Sequence, residues 1–323
     1  QGRASILEDK CVSCGMCMVS CPFGAISDKS QIFQLSHALR DGDKIIAIVA
    51  PAYISQFGDD VTPGKFKTAL QVLGFSDVHE VAFGADVGAI SEAHHYAKEV
   101  ATGNLPFLLT SCCPSWSMMA KKFFPTMIDN ISQELTPMVA TARKVKQEQP
   151  DAKVVFIGPC ASKKLEAMRR TVRSDVDFVL TFEELMGIFD AKSIEFSELE
   201  VEEELQTSSA DGKGFAASGG VANAVKNVIK KIDPDKEVNV VSAQGLAECK
   251  KMLTLAKAGK YNGYLLEGMA CPGGCVGGAG VLSDAKRAEI KLKQEMANSQ
   301  LKNSSETYYV DYLKLITEED ADK

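Results

Sequence analysis

The spacing of the cysteines constrains this chain more than any other feature of it. Four of the ten lie in the run Cys11-x2-Cys14-x2-Cys17-x3-Cys21, with Pro22 directly behind. That spacing is short enough to wrap three thiolates around one face of a 4Fe-4S cluster. Zinc is the competing reading, but zinc motifs pair two C-x2-C knuckles at a distance, and a third cysteine three residues on would be wasted. Ten cysteines in a chain without a charged-then-apolar secretory pattern are also poor disulfide material, and are better read as metal ligands or redox groups.

Composition narrows the rest. The 323 residues, 45% hydrophobic and 24% charged, suffice for one sizeable core and a small accessory module. A net charge of −7 leaves no basic footprint, so nucleic acid is not an expected partner. No apolar run approaches the ~18 residues that a membrane span needs, and a cytoplasmic protein that does not engage a membrane is expected.

Residues 1–43 are cysteine-rich and short on regular periodicity, and the first buried strand is read at 45–50, closed by Pro51. The boundary of a small N-terminal iron-sulfur module is therefore placed at 43, with a larger domain over 44–282 and a charged helical tail over 283–323. In the larger domain Thr62-Pro63 opens a helix that ends at Gly74, as an N-cap, a first-turn proline and a terminal glycine should. Strands are read at 78–83, 107–110, 153–157, 176–181, 237–242 and 264–267, separated by segments of helical period such as 221–232. This alternation predicts an α/β fold of largely parallel sheets flanked by helices, with ligand sites at the carboxyl ends of the strands.

Three cysteine motifs fall at such ends: Thr110-Ser-Cys-Cys-Pro-Ser-Trp116, Gly158-Pro-Cys-Ala-Ser-Lys-Lys-Leu-Glu166, and Glu267-Gly-Met-Ala-Cys-Pro-Gly-Gly-Cys-Val-Gly-Gly-Ala-Gly280. Adjacent side chains diverge, so of Cys112 and Cys113 one ligates and the other is free to act. One of that pair with Cys160, Cys271 and Cys275 makes four thiolates, the complement of a cubane. The glycines beside Cys271 and Cys275 suit a bulky inorganic centre that needs close backbone approach and free N–H groups. Buried structural cysteine is the bland alternative, common singly but improbable for three motifs at three strand ends.

In order and content these motifs resemble the signatures of the FeFe hydrogenases, TSCCPxW, PCxxKxxE and ExMACxGGCxxGGx, over roughly residues 11–281. The resemblance implies an H-cluster domain in which Cys113, Cys160, Cys271 and Cys275 hold the 4Fe-4S cubane. Cys275 would also bridge to a two-iron subsite bearing CO, cyanide and a dithiolate bridge. It implies that Lys163 donates to an iron-bound cyanide, that Glu166 orients Lys163, that Met269 packs near a bridging carbonyl, and that Ala52 lines the cluster. Such a centre carries the hard chemistry while the protein orients it and supplies protons. The family's proton pathway maps onto Cys112, Glu92 twenty residues before it and Ser132 twenty after. The family's second glutamate falls on His95, which can also relay protons near neutral pH.

The same resemblance implies reversible reduction of protons to dihydrogen, with electrons from ferredoxin entering through the N-terminal 4Fe-4S cluster, and dependence on hydrogenase maturation proteins. Gly158, Met138 and Ala279 depart from common members and look most like the branch called group B, whose members carry further iron-sulfur motifs upstream. In two-cluster ferredoxins the fourth cysteine of such a run ligates the other cluster. Cys21 either closes the cluster of Cys11, Cys14 and Cys17 or serves a half-module preceding Gln1, and the second is favoured. Two other readings stand beside this one: a slow sensory hydrogenase, and a non-catalytic iron-sulfur assembly protein of the prelamin A recognition factor-like type. Retention of Cys112, Lys163 and Met269 argues against the latter. Cys249 matches no ligand position and reads as a core residue.

Overall fold

The computed structural model describes residues 5–307 except 171, 202, 206 and 207. Among the described residues seven strands form two parallel sheets: β1 (Ile45–Val49), β2 (Asp77–Glu80), β3 (Phe107–Leu109), β4 (Lys153–Gly158), β5 (Phe178–Thr181), β6 (Asn239–Gln244) and β7 (Tyr264–Met269). The first has the order β2-β1-β4-β5 and the second β3-β7-β6. Every residue of β1 is buried, as an apolar run must be when helices cover both faces of a parallel sheet. Between β2 and β3 runs the helix Ala82–His95, which packs on Pro137–Glu148 and on Gly220–Ile232. The α/β fold of parallel sheets and flanking helices is therefore as expected.

Local signals set many element ends. The Thr62 hydroxyl accepts from Lys65 N, and Pro63 opens the helix Pro63–Val72. Thr181 and Glu184 cap the helix Phe182–Ala191 reciprocally. One expected element differs. The run 78–83 is strand only to Glu80, and Ala82 already belongs to the next helix. A helix buried nearly all round carries the same unbroken apolar run as a buried strand, so periodicity does not separate them.

The described segments on either side of the larger domain pack on it. The helix Ile32–Arg40 lays Leu35 and Ala38 into the core of the first sheet, and the Gln31 side chain accepts from Val179 N at 2.7 Å. In the tail, Asp284 caps the helix Ala285–Asn298, which adds Ala288 and Leu292 to that core. The rest of the expected tail, residues 308–323, lies outside the described residues. Among the described residues no helix is long and apolar enough to cross a membrane.

Candidate metal centre

The carboxyl ends of β1, β3, β4 and β7 converge on one cavity of about 830 Å³, counting its open mouth. β1 contributes Ala50, Pro51 and Ala52, and β3 leads into Cys112 and Cys113. β4 leads into Pro159, Cys160 and Lys163, and β7 into Met269, Cys271, Gly274 and Cys275. The rest of the wall is chiefly apolar, with Val81, Ala85, Met138, Phe156 and Phe215 among it. Nine of the candidate site residues read from the sequence thus line one space, Cys14 of the N-terminal motif among them. The donors surround that space instead of meeting at a point: among the described residues no three His, Cys, Asp or Glu side chains are grouped to hold a single ion.

Cys113 and Cys160 stand at the N-caps of the helices Pro114–Phe123 and Ala161–Met168, each in extended conformation. A helix start offers unpaired N–H groups and the positive end of the helix dipole, both of which favour a thiolate. Backbone N–H groups of Ala270, Trp116 and Ser115 are directed at the Cys113 sulfur, and those of Lys163 and Ser162 at Cys160. The loop from Cys271 to Cys275 turns through Gly273 and Gly274, both at positive φ. A Cβ on Gly274 would lie 2.6 Å from Ser218 N, so only glycine lets the loop close against its neighbour.

Burial dominates the electrostatics. It pushes the Cys160 thiol up to about 11, helped by the charge of Cys113, and it raises Cys113, Cys271 and Cys275 as well. Four thiolates beside one ammonium would be costly to bury, whereas iron supplies compensating positive charge and deprotonates a coordinating thiol outright. The donor set and its N–H groups therefore fit an iron-sulfur cluster. Lys163 is buried, with Nζ 2.6 Å from Glu166 Oε2 and 3.4 Å from the Cys112 carbonyl. Burial opposes its charge, but Glu166, Cys160 and Cys112 more than offset that and hold it above the ordinary lysine value.

Cys112 has different surroundings from Cys113. Burial and the nearby carboxylates of Glu92 and Glu267 push its thiol well above the usual range. Glu92 is itself buried and pushed up to about 8, chiefly by desolvation and against hydrogen bonds from the Ser132 side chain and Ser111 N. Ser132 is also buried, anchored by its N–H to the Leu109 carbonyl at 2.8 Å. Sequence reasoning passed over Glu267, although it opens the third motif. It accepts from Gly219 N and Ala222 N, both at 2.8 Å, and so clamps the start of the helix Gly220–Ile232 to β7.

The N-terminal motif lies against this site. Ser13 and Gly15 at positive φ coil the chain between Cys11 and Cys17, and Lys122 Nζ donates to the Glu8 and Cys11 carbonyls at 2.6 and 2.8 Å. Cys14 reaches the cavity wall, while Cys17 is exposed. Backbone N–H groups of Phe23, Ala25, Ile26 and Gly24 surround the Cys21 sulfur and lower its pKa. Cys249 is fully buried in a core cluster against which Cys14 and Cys113 also pack, its thiol 3.5 Å from the Ala243 and Met269 carbonyls.

An α/β domain with four cysteines around a cavity at its strand ends, and a second cysteine motif against it, is an iron-sulfur protein by construction. Residues 43–279 match the family described as the iron only hydrogenase large subunit, C-terminal domain, and residues 4–27 match a 4Fe-4S binding domain. The chain belongs to the iron-only hydrogenase family. It is 30% identical to the NADP-reducing hydrogenase subunit HndD of Solidesulfovibrio fructosivorans, over 95% of this chain and 63% of that one. To Iron hydrogenase 1 of Clostridium pasteurianum it is 31% identical, over 80% of this chain and 54% of that one. The chain thus spans between half and two thirds of the length of these relatives. A lower likeness, 23% over 95% of this chain and 78% of the other, joins it to Protein NAR1 of Arabidopsis thaliana. The solved FeFe hydrogenase HydA(deltaEFG) superposes with a TM-score of 0.72 at 25% identity, over 88% of this chain and 94% of that one.

Proposed function

We propose that the chain is an FeFe hydrogenase that reversibly reduces protons to dihydrogen, fed with electrons by ferredoxin or a similar carrier. The observation that carries this is the cavity, which gathers Ala52, Cys112, Lys163 and Met269 with the four ligand cysteines. In this reading Cys113, Cys160, Cys271 and Cys275 hold the cubane of an H-cluster, whose two-iron subsite is installed by maturation proteins. When bound, that cluster supplies the redox chemistry that combines two protons with two electrons.

The chain's own residues would orient the centre, exclude water and move protons. Lys163, fixed by Glu166, presents a buried ammonium to anionic ligands. Met269 and the apolar wall keep bulk water out. Cys112, held as a thiol, passes a proton into the cavity and is reloaded from Glu92, which Ser132 reloads in turn. Cys11, Cys14, Cys17 and Cys21 serve a 4Fe-4S relay, and the place of Cys14 in the cavity wall supports direct electron passage between the two centres. A reducing, cytoplasmic setting is part of this reading, because it keeps thiolates available to the clusters.

A non-catalytic assembly role is the second reading, favoured by the likeness to the Cytosolic iron-sulfur assembly component 3 of Bos taurus, 24% identical over 91% of this chain. The test is hydrogen evolution from reduced ferredoxin by the matured protein and by Cys112→Ala. Turnover in the first, reduced on the order of 10²-fold or more in the second at equal iron content, is expected when a positioned acid is lost. No hydrogen from a protein that carries both iron centres would favour the assembly role.

A further inference from the structure

We propose that Glu134 and His95 form the outer half of the proton relay, with His95 as its mouth and Glu134 as the carrier between the surface and Ser132. The inference rests on the inner relay Cys112–Glu92–Ser132 proposed above. The helix that carries Glu92 offers no second carboxylate at the next turn, where His95 stands. A carboxylate arrives instead from the loop that follows the Leu109–Ile131 bridge. Glu134 Oε1 lies 3.9 Å from His95 Nδ1, and its Oε2 accepts from the Ser91 hydroxyl.

Its backbone places it firmly. Glu134 N donates to Ser132 Oγ at 3.3 Å, and its carbonyl accepts from Ser111 Oγ at 3.3 Å. The charge of Glu134 is also felt at Glu92, so the two carboxyl groups sit in one electrostatic neighbourhood. Exposure separates the inner pair from the outer pair. Glu92 and Ser132 are 5% and 3% exposed, whereas the side chains of Glu134 and His95 are 29% and 22% exposed. Immediately after His95 the helix widens into a π turn, Tyr96–Val100, a departure that often marks functional positions. The neighbouring His94 is tied through Nδ1 to the Ile90 carbonyl at 2.9 Å.

The transfer balances as a pure proton relay. A proton taken up from solvent at His95 passes to the Glu134 carboxyl group, which hands a proton on to Ser132 Oγ through one bridging water. The Ser132 hydroxyl releases its own proton to the Glu92 carboxylate. Each group gains one proton and loses one, and no electron pair leaves the chain.

Matured Glu134→Gln, Glu134→Asp, His95→Ala and Glu92→Gln proteins would be compared with the parent by hydrogen evolution, iron content and infrared difference spectroscopy in H2O and D2O. Loss of a relay acid should slow Glu134→Gln on the order of 10²-fold, with iron content and CO and cyanide bands retained. One D2O-sensitive carboxyl band should vanish from its difference spectrum. Glu134→Asp should recover part of the rate, and added imidazole should rescue His95→Ala, which a merely structural role would not permit. If Glu134→Gln turns over like the parent while Glu92→Gln is slow, protons enter elsewhere and this proposal falls with the inner relay intact. Should Glu92→Gln be equally fast, the inner relay falls as well. A slow Glu134→Gln protein that has also lost iron or its CO bands would make Glu134 structural and overturn the proposal.

Discussion

Replacing Glu92 by Gln should do two things of opposite sign: slow turnover and stabilise the fold at high pH. Burial moves the Glu92 carboxyl from its ordinary 4.5 to about 8. A group whose folded pKa is raised contributes stability that is complete below the unfolded pKa and is lost as pH climbs through the folded one, because the unfolded chain releases the proton first. The interval from 4.5 to about 8 corresponds, at 1.36 kcal/mol per tenfold, to about 5 kcal/mol lost in all. Between pH 5.5 and 8.5 the same relation gives a loss of about 3 kcal/mol from this group alone. An amide does not titrate, so the variant should gain about 3 kcal/mol on the parent across that window. Urea unfolding of matured parent and variant, run anaerobically at both pH values, measures the gain, and the pH dependence of the clusters is common to both proteins and cancels. Parallel stability curves for the two proteins would show that Glu92 does not titrate in the folded state over this range, and the account of a proton held there by burial would be refuted. Turnover should fall at the same time, on the order of 10²-fold.

Two further changes probe the centres themselves. Cys160→Ala should release about four irons per chain, read by iron analysis and cluster absorption, because a cubane held by four thiolates loses its closure; unchanged iron content would remove Cys160 from the ligand set. Gly15 sits at φ +76, where an added Cβ would lie 2.7 Å from the Ala279 Cβ. Gly15→Ala should therefore cost more than ~1 kcal/mol and slow electron entry from ferredoxin, while a small reductant that reaches the active site directly still drives turnover.

The gathering of Cys113, Cys160, Cys271 and Cys275 around one cavity was legible in the sequence, because their motifs fall at strand ends that a parallel sheet brings together. The strands were legible wherever an apolar run stood between turn residues, as at Ile45–Val49. The passage from β2 into the helix at Ala82 was not, since burial on all sides erases the period that distinguishes helix from strand. The helix Ile32–Arg40 carried a weak signal in the spacing of Leu35 and Ala38, submerged in a segment dominated by cysteine spacing. The cavity needed three dimensions: Ala52 and Met269 are far apart in sequence and meet only because β1 and β7, in different sheets, end at the same place. Glu134 gave no signal, being a loop residue beside Ser132 whose partner His95 lies across a tertiary contact.

Infrared spectroscopy of the matured protein tests the central claim most directly, because CO and cyanide bound to iron absorb where protein does not. CO and cyanide bands that shift under hydrogen are expected, and they should disappear in Cys275→Ala, which removes one of the four cysteines that would hold the centre. A matured protein with full cubane iron and no such bands would contradict that claim, and the chain would then be an iron-sulfur protein of the hydrogenase fold without hydrogenase chemistry.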